Sequence, residues 1–191
     1  METKMIVAQI FGILGMAANI LSYQCRHRKG VLRCQFFGSV LFAINMYLLG
    51  AMMGCMLNAI GIFRTVTYSH VKKPSHIRLA NGLFLALYVL AYVSDFTWIG
   101  LEPTTRNLIL EALPLVAMFA ITFACSRSAK VIRRTVFISS PLWLVYDAIG
   151  LSLGGVICEA ISIVSAVIGT VRYDIRKESE TTAENHDEIA A

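Results

Sequence analysis

Charge is scarce in this chain. Asp, Glu, Lys and Arg make up 15% of its 191 residues, against about 25% in a soluble domain. So few charged side chains cannot cover a water-facing surface, and a mean hydropathy of +0.65 points the same way. Proline is rare as well, at four residues, and one of them, Pro114, falls within a predicted helix and is expected to kink it. The five cysteines (Cys25, Cys34, Cys55, Cys125 and Cys158) are odd in number and form no C-x-x-C pair. That suggests neither a disulfide framework nor zinc ligation. H-E-x-x-H, G-x-S-x-G and phosphate-binding glycine loops are all missing. The histidines (His27, His70, His76 and His186) fall in polar connections. No paired nucleophile and base is visible, so the expectation is not an enzyme, with no cofactor and no metal.

What is present is a set of apolar segments punctuated by four basic clusters. Arg26, Arg28, Lys29 and Arg33 form the first; Arg64, Lys72, Lys73 and Arg78 the second; Arg127, Lys130, Arg133 and Arg134 the third; Arg172, Arg176 and Lys177 the last. Of the 17 basic residues only Lys4 and Arg106 lie elsewhere. The clusters occupy every second junction, the pattern of cytoplasmic loops in membrane proteins. A bilayer core needs about 20 apolar residues per helix, so seven helices use about 140. The segments predict helices near 5–23, 31–49, 52–68, 80–99, 108–125, 131–149 and 152–173. This is an all-α integral membrane protein with seven transmembrane helices, its N-terminus outside and its C-terminus cytoplasmic. The first segment follows Glu2 and Lys4 rather than a basic run, so it reads as a retained helix. The net charge of +5 matches inside loops beside anionic lipid; lipid is the expected partner and nucleic acid is not.

An internal repeat organises the segments. Laying helices two and three over six and seven pairs Arg33 with Arg134, Ser39 with Ser140, Gly54 with Gly155 and Ile60 with Ile161, and sets Asn58 against Glu159. The single helix between the halves gives both the same orientation, a parallel repeat about an axis along the membrane normal. The resulting three-plus-one-plus-three layout has a first bundle over 1–69, a linker helix with its loops over 70–107, a second bundle over 108–174, and a polar, acidic tail over 175–191 expected to be disordered.

Several short stretches are distinctive together: Ala8-Gln9 with Gly12, Leu48-Leu49-Gly50, Leu57-Asn58-Ala59-Ile60 with Arg64, and Leu113-Pro114. Further along come Trp143 with Tyr146-Asp147, and Ser152-Leu153-Gly154-Gly155 with Glu159 and Arg172. In their order and spacing the chain resembles the bacterial inner-membrane YgjV family, which implies a multi-pass inner-membrane location. More distantly the layout is similar to SWEET and PQ-loop sugar transporters and to vitamin-precursor transporters of the PnuC kind, which implies a substrate held between two bundles. The Pro-Gln dipeptide of those transporters is missing: Ser22-Tyr23-Gln24 and Cys125-Ser126-Arg127 stand in its place.

Six residues are candidates for contact with a small molecule. Glu159 lies within helix seven, where a charge costs about 2.5–3.5 kcal/mol at the bilayer centre and therefore faces protein or water. It shares a face with Gly155, Ser162 and Ala166. It reads either as a substrate or proton site or as a buried hydrogen-bonded carboxyl. Asn58, at the equivalent place, reads as a ligand contact or as helix glue. Trp143 and Asp147 on helix six suit a cation or a polar ligand with a flat apolar part, or else belong with Tyr146 to an interfacial belt. Asn45 reads as a ligand contact or an interhelical bond, and Asn19 (with Gly12, Gly15 and Ser22) more readily as close packing. Asp95, Trp98 and Glu111 are expected at the outer interface. Arg64 is expected to snorkel to the inner one. The leading expectation is a small-solute transporter working by alternating access, its ligand unidentified. The alternative is a receptor or accessory protein of the same fold that acts through its loops or tail. A homo-oligomer is left open.

Overall fold

The computed structural model describes residues 2–149 and 153–175. Among them are seven α-helices and no strand: α1 (Glu2–Tyr23), α2 (Arg28–Leu49), α3 (Met52–His70), α4 (Pro74–Thr97), α5 (Thr105–Cys125), α6 (Ala129–Ile149) and α7 (Leu153–Thr170). A π-helical turn, Val171–Ile175, continues α7. Five of the helices (α1, α2, α4, α5 and α7 with its π-turn) are long and apolar enough to cross a membrane. The sequence predicts seven crossings. α3 and α6 are the two that fall short, and they carry Asn58 with Arg64, and Lys130, Arg133, Arg134 and Asp147.

Several helices start earlier than the apolar segments do, because caps rather than hydropathy set their ends. α4 begins at Pro74, not near Ala80, since proline's missing N–H and fixed φ suit the first helical position. His76 and Arg78 therefore lie on a helix. α5 begins at Thr105 because the Thr104 hydroxyl accepts from the Asn107 N–H at 3.3 Å. α2 stops at Leu49 because Gly50 turns left-handed at φ 81° and its N–H caps the helix. The expected turn at Gly150, the helix-seven start at Ser152 and the tail beyond residue 175 lie outside the described residues.

Consecutive helices pack side by side, and α7 returns to α1. The most extensive contacts are α1 with α2, α2 with α3, α5 with α6 and α6 with α7; α4 lies between α3 and α5. The main apolar core (Leu32, Leu57, Tyr68, Phe84, Tyr88 and Met118) sits on the α4 side. Outward-facing Ile10, Phe63, Leu79, Leu90, Ile109, Ile138 and Val164 are all exposed. An apolar exterior around helices whose backbone groups bond internally is what lipid as solvent demands.

Candidate functional site

Glu159 is the seventh residue of α7 and half-buried. Its carboxylate faces the Ser140 hydroxyl of α6 and lies within electrostatic range of Asp147. Asp147 is buried and seated against Gly155 of α7, where any Cβ would collide with the carboxylate. That explains Gly155 on the small-residue face of α7. Tyr23, at the end of α1, is buried within electrostatic range of both Glu159 and Arg64.

Arg64 does not snorkel. It is 4% exposed. Its Nη1 donates to the Tyr88 hydroxyl at 3.1 Å and approaches the Met118 sulfur at 3.5 Å, and its buried Nε has no hydrogen-bond partner among the described residues. The reason is its register: Leu57, Gly61, Arg64 and Tyr68 share the buried face of α3 at helical spacing. The stem runs inward between α4 and α5. That spacing was the signal in the sequence that an interfacial reading of Arg64 passed over.

The other candidates separate. Asn45 is buried and donates to the Ala8 carbonyl at 2.6 Å, joining α2 to α1. The Asn19 side chain fills the space over Gly38 in the same seam, its Oδ1 2.7 Å from where a Cβ would stand. Asn58 donates to the Gly54 carbonyl of its own helix at 2.9 Å. Trp143 packs partly buried against the apolar core and meets Tyr146 edge-on at 5.8 Å. Tyr146 and Asp147 diverge: the Tyr146 hydroxyl turns to α5 and donates to Glu111 at 3.1 Å, while Asp147 turns to α7. Thus Glu159, Asp147 and Ser140 come together, and Asn45, Asn19 and Asn58 do not join them.

Two outer-interface expectations need correction. Asp95 and Glu111 are only 5% and 9% exposed, because they face a cleft between helices rather than the surrounding lipid; Trp98, at 84%, is the residue that faces outward. Two residues of the basic clusters are also structural. Arg133 is buried in an ion pair with Asp174 at 2.5 Å, and its Nη1 donates to the Cys25 carbonyl at 3.0 Å. Arg28 donates to the carbonyls of Cys125 at 2.9 Å and Tyr68 at 2.7 Å. The lone acidic Asp174 inside the last basic cluster was the available hint.

These contacts tie the end that carries the basic loops. Gln24 adds bonds to the Ser165 carbonyl and hydroxyl, both at 2.8 Å, and Ser165 donates to the Ile20 carbonyl at 3.0 Å. The opposite end holds an open cleft of about 340 Å³ whose lining includes Ala51, Asp95, Gly100, Glu111 and Tyr146. Among the described residues no group of three His, Cys, Asp or Glu could hold a metal.

No curated protein and no solved structure matches this chain. No match therefore supports the expected distant likeness to SWEET, PQ-loop and PnuC transporters. A helical bundle with an apolar exterior and buried ionisable groups is a multi-pass membrane protein, and the family comparison agrees: residues 6–177 match the model of the bacterial inner membrane protein family YgjV, and the chain belongs to that family.

Proposed function

We propose that the protein moves a small polar solute across the inner membrane by alternating access. In this reading α1–α3 and α5–α7 form two related bundles and α4 links them. One contrast carries it: Gln24, Arg28 and Arg133 bond helices together at the basic-loop end, while the other end holds an open cleft, with Tyr92 to Leu108 and Tyr146 to Glu111 bonding across its helices. Between the two ends lie the buried Arg64 and the half-buried Glu159. With basic loops inside, that is an outward-facing arrangement. Ionisable groups within membrane helices mark substrate or proton paths by default. Glu159, facing Ser140 near Asp147, is the proton-linked or solute-binding carboxyl. Arg64 offers the complementary charge on the other bundle.

The test is an untargeted metabolite comparison of cells that lack the protein, overproduce it, or overproduce Glu159→Gln. A polar metabolite whose cellular level follows the wild-type protein and not the Gln variant is the expected result. Levels unchanged across all three would overturn the transport reading. Wild-type uptake with unaltered pH dependence in Glu159→Gln would remove the proton coupling.

A further inference from the structure

The cleft at the end opposite the basic loops contains a carboxylate without a counterpart. Asp95 stands in the last turn of α4 and lines the cleft. The residue is 5% exposed. Among the described residues its carboxylate makes no hydrogen bond and no ion pair. Glu111 of α5 lines the same space, 9% exposed, its carboxylate accepting from the Tyr146 hydroxyl at 3.1 and 3.4 Å. The two acids lie within electrostatic range of each other. The lining contains no Lys, Arg or His. Arg106, the basic residue nearest Glu111 in sequence, is exposed on the first turn of α5. Two carboxylates lining one cleft whose walls carry no Lys, Arg or His concentrate negative potential there, and such a field favours a positive partner.

The shape of the cleft narrows what that is. A bare divalent ion wants six or more oxygen ligands, whereas only two carboxylates converge here and no third acidic, His or Cys side chain completes a metal-binding group. The volume, about 340 Å³, is that of a small-molecule pocket rather than an ion cage. The remaining walls are apolar or aromatic: Met53, Ile99, Leu101 and Tyr146. We propose that this cleft binds an organic ammonium ion, its charged nitrogen between Asp95 and Glu111 and its apolar part against Ile99, Leu101 and Tyr146. The assignment deepens the transport reading by naming a class of solute that would load from this end; the binding itself requires no flux.

The probe is benzylammonium chloride, added to the purified full-length protein in detergent, with melting temperature followed against concentration. Benzyl alcohol is the neutral control and magnesium chloride the inorganic one. A ligand that binds only the folded state raises the melting temperature. Benzylammonium is expected to raise it, with benzyl alcohol and magnesium without effect. Asp95→Asn is expected to weaken the apparent affinity about tenfold or more, the loss of one charge contact. Ala51→Trp puts a large ring at an exposed rim position of the cleft and is expected to abolish the shift; it decides the matter should Asp95→Asn fail to fold. Equal stabilisation by benzyl alcohol, stabilisation by magnesium alone, or wild-type affinity in Ala51→Trp would each overturn the proposal. Glu159→Gln, away from the cleft, is expected to bind as wild type does. Intact benzylammonium binding alongside metabolite levels that ignore the protein would count against transport and leave the cleft assignment standing.

Discussion

At the basic end of the bundle, Arg28, Arg133 and Gln24 reach backbone carbonyls of other helices. At the far end the Asp95 carboxylate has no hydrogen-bond partner among the described residues, and a cleft opens where the cross-helix bonds are those of Tyr92 and Tyr146. The difference follows from chain direction. α1, α3 and α5 finish at the basic end, and a helix C-terminus leaves carbonyls without intrahelical partners and a partial negative charge. Arginine is the side chain suited to meet several of them at once, and Arg28 joins the C-terminal carbonyls of α3 and α5 in this way. α2 and α4 finish at the far end, where a left-handed glycine ends α2 (Gly50, φ 81°) and another, Gly100 (φ 83°), shapes the chain beyond α4. Glycine closes a helix without holding a neighbour. The Lys and Arg asymmetry that orients membrane proteins thus also latches one end of this one.

The comparison can be broken most sharply at Arg133. Arg133→Ala strands the buried Asp174 carboxylate and frees the Cys25 carbonyl; a loss of about 3–5 kcal/mol is expected. Thermal unfolding in detergent measures it, and a variant that replaces both Arg133 and Asp174 with leucine should recover most of the loss. Next comes Gly169→Ala, where the new Cβ would run into the Tyr23 carbonyl of α1. Backbone cannot step aside as a side chain can, so about 1–3 kcal/mol is expected, along with faster proteolysis of the connection after α1. Far-end changes should be milder. Asn45→Ala removes one interhelical bond, to Ala8, and should lower stability by about 1 kcal/mol. Asn58→Ala removes a bond within its own turn and should stay within about 0.5 kcal/mol. If Asn58→Ala cost as much as Arg133→Ala, the distinction between a latched end and an open one would fail.

Apolar segment length and the positions of Lys and Arg were enough to find all seven helices, since both follow from one local requirement: backbone buried in lipid must bond within its own helix. Pro74 and Thr104 moved starting points that hydropathy alone misplaces. Glu159 was legible as an intramembrane acid because lipid makes any such charge conspicuous. Arg64 and Arg133 were legible only in part, through the spacing of the α3 face and the lone Asp174. A basic residue near a helix end has a stem long enough either to reach the interface or to turn inward. Which way it goes depends on what the neighbouring helix presents: Tyr88 and Met118 for Arg64, and Asp174 for Arg133. The candidate asparagines show the same limit, for Asn45 meets a carbonyl of α1 and Asn58 one of α3.

The amino-acid sequence by itself therefore determined the membrane class, the helices and the family, because each rests on composition and short-range spacing. Only the tertiary structure decided which charges are latched, which carboxylates share a space and which end of the bundle stays open. Those outcomes depend on side chains far apart in the chain meeting across helix seams, where a change of about 100° around a helix, one residue, turns a group from one neighbour to another.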